Sequence, residues 1–127
     1  MIKNIKNINF KKIKNKNGEL IFVESKSYFK RGFKRFFSVK ANKNALRGGH
    51  SHYKGSQILF CLNGSINVFS YQKSKNKYKE YKLIKNKNYL FVPPNNFLKI
   101  KYLKSNSILG VLCDRYYEPD DYNYTIE

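Results

Sequence analysis

No window of about a dozen residues in this chain repeats its apolar positions with a helical period. Short runs rich in Ile, Val, Phe and Tyr recur instead, separated by clusters of Asn, Gly, Pro and Lys. A chain patterned this way can bury the faces of many strands but no long helical stripe, so the fold class it predicts is all-β. Strands are expected near residues 2–10, 20–24, 34–39, 57–62, 65–71, 78–84, 89–92, 97–103 and 108–113. So many closely spaced strands predict an antiparallel sandwich, barrel or jelly roll. The clearest hairpin signal is "ILFCLNGSINVFSY", where Asn63 and Gly64 can both adopt positive φ in a type I′ turn. "QKSKNK" reads as a second connection. "VPPNN" closes a further strand, since proline cannot donate to a ladder. The tail "DRYYEPDDYNYTIE" is acidic and is expected to pack over a sheet edge. At 127 residues one domain, 1–127, is expected, large enough to bury a core without disulfides or a structural metal.

Composition narrows the function classes. Cys61 and Cys113 sit far apart in apolar runs and read as small core residues of a reducing compartment. The N-terminus is interrupted by charge every few residues and lacks the apolar core of a signal peptide, and no long uninterrupted apolar run occurs elsewhere. A soluble cytoplasmic protein with no membrane partner is expected. The net charge of +18, with 11 Tyr and 10 Phe, invites a nucleic-acid reading. Lysine is spread over almost the whole chain, however, and travels with asparagine, which reads as a solvated basic surface. No nucleic-acid partner is expected, and the charge would help an anionic small ligand arrive.

The chemistry concentrates in "RGGHSHYK", which holds both histidines of the chain. On a strand, side chains two apart share a face, so His50 and His52 would project together over one ligand while Ser51 points away. Gly48 and Gly49 would let backbone approach that ligand closely. A divalent transition metal wants at least three good N, O or S ligands, and no third histidine exists. No metal is therefore expected. Two imidazoles in an apolar barrel suit acid and base work near neutral pH.

The spacing from His52 to Gln57 and on to Gly64 resembles the first cupin motif, with Gln57 where metal-binding cupins carry a glutamate ligand. Within the cupins, "RGGHSHYKGSQILFCLNGSINV" is similar to the signature of the dTDP-sugar 3,4-ketoisomerases. "NGELIFVES", "FKRFF", "YLFVPPNNF" and "EPDDY" resemble further segments of that family, so the similarity covers most of the chain. The resemblance implies an antiparallel jelly-roll barrel and a homodimer, often with N-terminal strands exchanged between subunits. It implies isomerisation of dTDP-4-keto-6-deoxyglucose to a 3-keto-6-deoxy sugar without metal or cofactor. The product would pass to an aminotransferase that makes 3-amino sugars for surface glycans such as lipopolysaccharide.

Carried onto this chain, the resemblance makes His50 and His52 the catalytic pair and places Arg47 in the pocket. His50 is expected to remove the C3 proton and His52 to relay it or return it at C4. Arg47 or Lys54 would stabilise the enediolate by a charged hydrogen bond, and Gln57 would order the histidines. Asn17 and Phe97 would line the sugar pocket, where relatives often carry other residues, and Phe36 and Phe37 stand where the family has tyrosines. Two rival readings remain open. One is a metal-dependent or other sugar-modifying cupin; the other is a non-catalytic nucleotide- or nucleic-acid-binding β-barrel.

Overall fold

The computed structural model describes residues 3–126, so Ile2 of the first expected strand lies outside the described residues. Among the described residues twelve strands form: β1 (Lys6–Asn9), β2 (Lys11–Asn15), β3 (Gly18–Phe22), β4 (Arg35–Ala41), β5 (Leu46–His52), β6 (Gln57–Asn63), β7 (Ile66–Gln72), β8 (Lys77–Leu83), β9 (Asn88–Val92), β10 (Leu98–Tyr102), β11 (Ser107–Cys113) and β12 (Tyr122–Asn123). The first expected strand forms as β1 alone. β2, β5 and β12 were not among the nine expected spans. The glycines and histidines of β5 carry little strand propensity, and β12 is too short to show a period.

All pairing is antiparallel, in two five-stranded sheets ordered β1-β9-β6-β11-β4 and β12-β5-β10-β7-β8, with β2-β3 as a separate ribbon. The pairs β7·β8, β6·β9, β5·β10 and β4·β11 are nested one inside the next, which is the wrapping of a jelly roll. The two sheets stay open rather than closing into one hydrogen-bonded barrel.

This wrapping corrects the expected "LNGS" hairpin. β6 and β7 lie in different sheets, so Asn63-Gly64 is a corner between sheets and not a two-residue turn. Only Gly64 has positive φ, at 78°. A Cβ there would lie 2.8 Å from Ser107 Cα, so the corner needs glycine because β11 begins against it. The true hairpin of this region is β7–β8, through "KSK" and a left-handed Asn76. The Pro-Pro segment ends β9 as expected, and the turn after it is tied to the site, because the Asn95 N–H donates to the His52 carbonyl at 2.7 Å.

The core lies between the sheets and includes Leu59, Ile66, Val68, Leu90, Tyr102, Leu109 and Val111, with both cysteines buried and free. The other face of the first sheet is covered too. Phe29, Ile58, Tyr89 and Phe91 form a second cluster joined by Ile8, Phe10 and Tyr28, which is why all five residues of β9 are buried. The second sheet gains its edge strand from the C-terminal tail, β12 pairing Tyr122 with His52 and Asn123 with Ser51.

Candidate active site

Between the sheets, toward the end of β5, a cavity of about 360 Å³ opens, within the range expected of a small-molecule site. Its walls are apolar (Val39, Leu59, Val92, Leu98, Ile100 and Val111 among them), and its polar groups converge from Arg35, Arg47, His50, His52, Gln57, Tyr102 and Tyr122. His50 and His52 meet as predicted, with ring centroids 5.1 Å apart and planes near perpendicular.

How Arg47 reaches the same face is not simple alternation. Three residues before His50, it should point to the opposite side of the strand. The β5·β10 register pairs Leu98 with His50, Lys99 with Gly48 and Ile100 with Arg47, which leaves Gly49 without a partner. Gly49 is thus the extra residue of a β-bulge, and the inserted residue turns Arg47 onto the histidine face. Both glycines have positive φ, 89° and 78°. At Gly48 a Cβ would also sit 2.9 Å from the Leu98 carbonyl oxygen. The glycine pair therefore builds the site by resetting the register of β5.

Electrostatics set the two imidazoles apart. Burial pushes the His50 pKa below the ordinary 6.5, partly offset by a hydrogen bond with the backbone of Gly48. Burial also pushes His52 down, helped by the neighbouring His50 and opposed by the Asp121 carboxylate. Both shifts favour the neutral ring near pH 7, the state a base requires. The reaction rate should fall on the acid side only below pH 6.5, the ordinary histidine value, as the rings charge. A pH profile of kcat/KM flat down to neutrality and bending below that point is expected, and an acid limb above it would contradict neutral bases.

Arg35, at the start of β4, was not identified from sequence. Its guanidinium lies 4.5 Å from the Phe37 ring centre and 5.2 Å from that of Tyr117, a flat cation held between aromatic faces at the cavity wall. Phe37 lines the cavity, whereas Phe36 is exposed on the other face of β4. The phenols of the site are those of Tyr102 and Tyr122, with Tyr122 packed 4.7 Å from His50 and 4.6 Å from His52, centroid to centroid.

Gln57 lines the cavity and its amide donates to Cys113 Sγ at 3.4 Å. Lys54, Asn17 and Phe97 are not among the lining residues. Lys54 is exposed and contributes its backbone N–H, which donates to Asp121 Oδ1. Asn17 sits exposed at the tip of the β2–β3 ribbon, and Phe97 precedes β10 with its carbonyl accepting from the Tyr71 N–H. Among the described residues no group of three His, Cys, Asp or Glu side chains converges as a metal site would require.

Comparison with known proteins agrees with this geometry. Residues 3–127 match the family model described as FdtA: WxcM-like, C-terminal. The TDP-4-oxo-6-deoxy-alpha-D-glucose-3,4-oxoisomerase of Aneurinibacillus thermoaerophilus is 33% identical over 116 residues, covering 91% of this chain and 82% of that protein. Among solved structures, the sugar 3,4-ketoisomerase QdtA of Thermoanaerobacterium thermosaccharolyticum, in complex with TDP, superposes with a TM-score of 0.85 at 30% identity, over 98% of this chain and 90% of that one. A mutant of the same enzyme, in complex with TDP-4-keto-6-deoxyglucose, is 29% identical with a TM-score of 0.85, over the same shares of the two chains. The TDP-quinovose 3,4-ketoisomerase WlaRB of Campylobacter jejuni is 26% identical with a TM-score of 0.85, over 98% of this chain and 95% of that one.

Proposed function

Because the chain belongs to the FdtA (WxcM-like, C-terminal) family, we infer that it is an isomerase, a TDP-sugar 3,4-ketoisomerase that converts dTDP-4-keto-6-deoxyglucose to a dTDP-3-keto-6-deoxy sugar. The observation that carries this reading is the pair of adjoining imidazoles that line one cavity between the sheets. The reaction needs a base at C3 and an acid at C4, with proton exchange between O3 and O4. Removal of the C3 proton leaves an enediolate across C3 and C4. The O3 proton passes to O4, C4 takes up a proton, and the ketone has moved to C3.

His50 and His52 carry those transfers in our assignment, which their shared orientation and lowered pKa values support. Arg47 and Arg35 supply positive charge for the enediolate or for the diphosphate of the nucleotide, since both lie on the cavity wall. Gln57 orders this wall. Lys54, Asn17 and Phe97 remain in the assignment only as groups that a bound nucleotide or a second subunit could bring to the substrate.

A homodimer is part of the proposal. Ile13 and Leu20 pair across the β2–β3 ribbon and are 60% and 56% exposed, and a two-stranded ribbon alone is marginally stable. A second copy of the chain is the cover this ribbon calls for. Light scattering should give twice the chain mass. A cytoplasmic location is supported by the two buried free thiols. No helix is long and apolar enough to cross a membrane. The scattered cationic surface fits an anionic nucleotide sugar as partner rather than nucleic acid.

Carbon-13 NMR of dTDP-4-keto-6-deoxyglucose incubated with the protein tests the reading: the ketone resonance should move from C4 to C3, and an unchanged substrate would reject it. Turnover should survive exhaustive dialysis against EDTA, because two imidazoles and a neutral amide are an incomplete ligand set for a divalent transition metal. Activity lost to EDTA and restored by one particular metal would favour the metal-dependent alternative.

A further inference from the structure

The C-terminal tail does more than extend a sheet. Between "EP" and β12 lies a short 3-10 turn, Pro119–Asp121, whose last residue is an aspartate only 8% exposed. Buried carboxylates are costly unless their oxygens are satisfied. This one is clasped by the turn that follows the histidine strand. The Lys54 N–H donates to Asp121 Oδ1 at 2.8 Å and the Gly55 N–H donates to Oδ2 at 3.1 Å. The Asp121 carbonyl in turn accepts the Tyr53 N–H at 3.0 Å. A Cβ on Gly55 would lie 2.9 Å from Oδ2, so the backbone at Gly55 is shaped to let the carboxylate in.

So held, Oδ2 lies 3.4 Å from His52 Nδ1. The opposite ring nitrogen, His52 Nε2, is buried and has no hydrogen-bond partner. A neutral imidazole carries one proton on two nitrogens, and an acceptor facing Nδ1 keeps it there. The lone pair is then on Nε2.

We propose that Asp121 is a positioning residue for the isomerase reaction, fixing His52 in the Nδ1–H tautomer so that Nε2 is the atom that accepts or relays the substrate proton. The inference rests on the ketoisomerase reading and deepens it by assigning the proton to one atom. The contact at 3.4 Å is long for a hydrogen bond, as such bonds often are before substrate binds. His50 lacks such a carboxylate and meets the backbone of Gly48 instead, so the two histidines are not interchangeable. The tail thereby couples its own docking to the site: residues at the far end of the sequence complete the pocket and orient its second imidazole.

The titratable and charged groups around His52 are His50 on its own strand, Arg35 on β4, Cys113 and Asp114 at the end of β11, and Asp121 and Tyr122 on the tail. Of the charges acting on His52, His50 and Arg35 disfavour its protonation and Asp121 favours it. Removing the Asp121 charge therefore lowers the His52 pKa and moves the acid limb of kcat/KM to lower pH.

Nitrogen-15 NMR of the whole labelled protein at pH 7 tests the assignment with or without turnover. Expected in the wild type is an Nδ1–H, Nε2-lone-pair pattern for His52, lost in Asp121→Asn. In the same variant kcat should fall about 10–100-fold, the scale seen when an outer partner of a functional histidine is removed. Affinity for dTDP should stay within a factor of about three, with the acid limb shifted down. Asp121→Glu should recover part of kcat. An Nε2–H tautomer in the wild type, or an unchanged tautomer and pH profile in a folded Asp121→Asn, overturns the proposal. If Asp121→Asn does not fold, the wild-type tautomer alone decides it. Absence of ketoisomerase turnover with the Nδ1–H tautomer present would reject the reaction and leave only the Asp121-held tautomer standing.

Discussion

His52→Asn and His50→Asn are each expected to lower kcat by at least ~100-fold, the usual scale for a positioned acid or base. Both variants should still bind dTDP and melt near the wild type. Each imidazole lines a cavity that already holds polar side chains, and asparagine leaves a polar group in the same place. Steady-state kinetics, calorimetric titration with dTDP and thermal unfolding of the three proteins check the set. If only one variant is inactive, its histidine is the C3 base and the other is an orienting group. Normal turnover by both folded variants would remove the His-Ser-His segment from the chemistry.

Gly48→Ala should be far more damaging than the same change one residue later. At Gly48 a side chain meets both a left-handed backbone, φ 89°, and the Leu98 carbonyl oxygen at 2.9 Å, and that oxygen belongs to the neighbouring strand and cannot swing aside. Backbone strain and overlap together cost about 3 kcal/mol, equivalent to a fall in Tm of about 10 °C for a domain of this size. At Gly49 only the φ of 78° is strained and nothing lies within 4 Å, so the loss is about 1 kcal/mol. Because the bulge carries Arg47 to the histidine face, Gly48→Ala should also depress kcat/KM in the fraction that folds, where Gly49→Ala should not. Equal melting temperatures for the two variants would show that the approach of Leu98 is not what demands glycine at position 48.

These two sites illustrate what the amino-acid order reveals and what it hides. The histidine pair was legible because a spacing of two has a single geometric meaning on a strand. Most core strands were legible for the same reason, since their apolar residues alternate or run together between breakers. The Asn63-Gly64 corner was misread as a hairpin because a jelly-roll crossing and a two-residue turn share one local signal, and only the nested pairing of distant strands separates them. The glycines before His50 were visible, but the bulge they form depends on the β10 register, which lies outside their neighbourhood.

Arg35, Asp121 and Tyr122 reach the cavity or its histidines from segments far from "HSH" in sequence. The acidic "EPDDY" stretch was a usable signal for the tail, though nothing in it points to one particular histidine. Asn17 and Phe97 entered through family resemblance and Lys54 through its charge beside the histidines, and none of the three is among the residues that line the cavity.

Proton transfer between adjacent carbons at the histidine pair is tested most directly by proton NMR of the wild-type reaction in D₂O. The expected result is a 3-keto product with deuterium at C4, to whatever degree the transferred proton exchanges with solvent, and none of this product from His50→Asn or His52→Asn on the same timescale. Exchange at C3 or C5 with the ketone still at C4, or an equal yield of 3-keto sugar from both histidine variants, would contradict it.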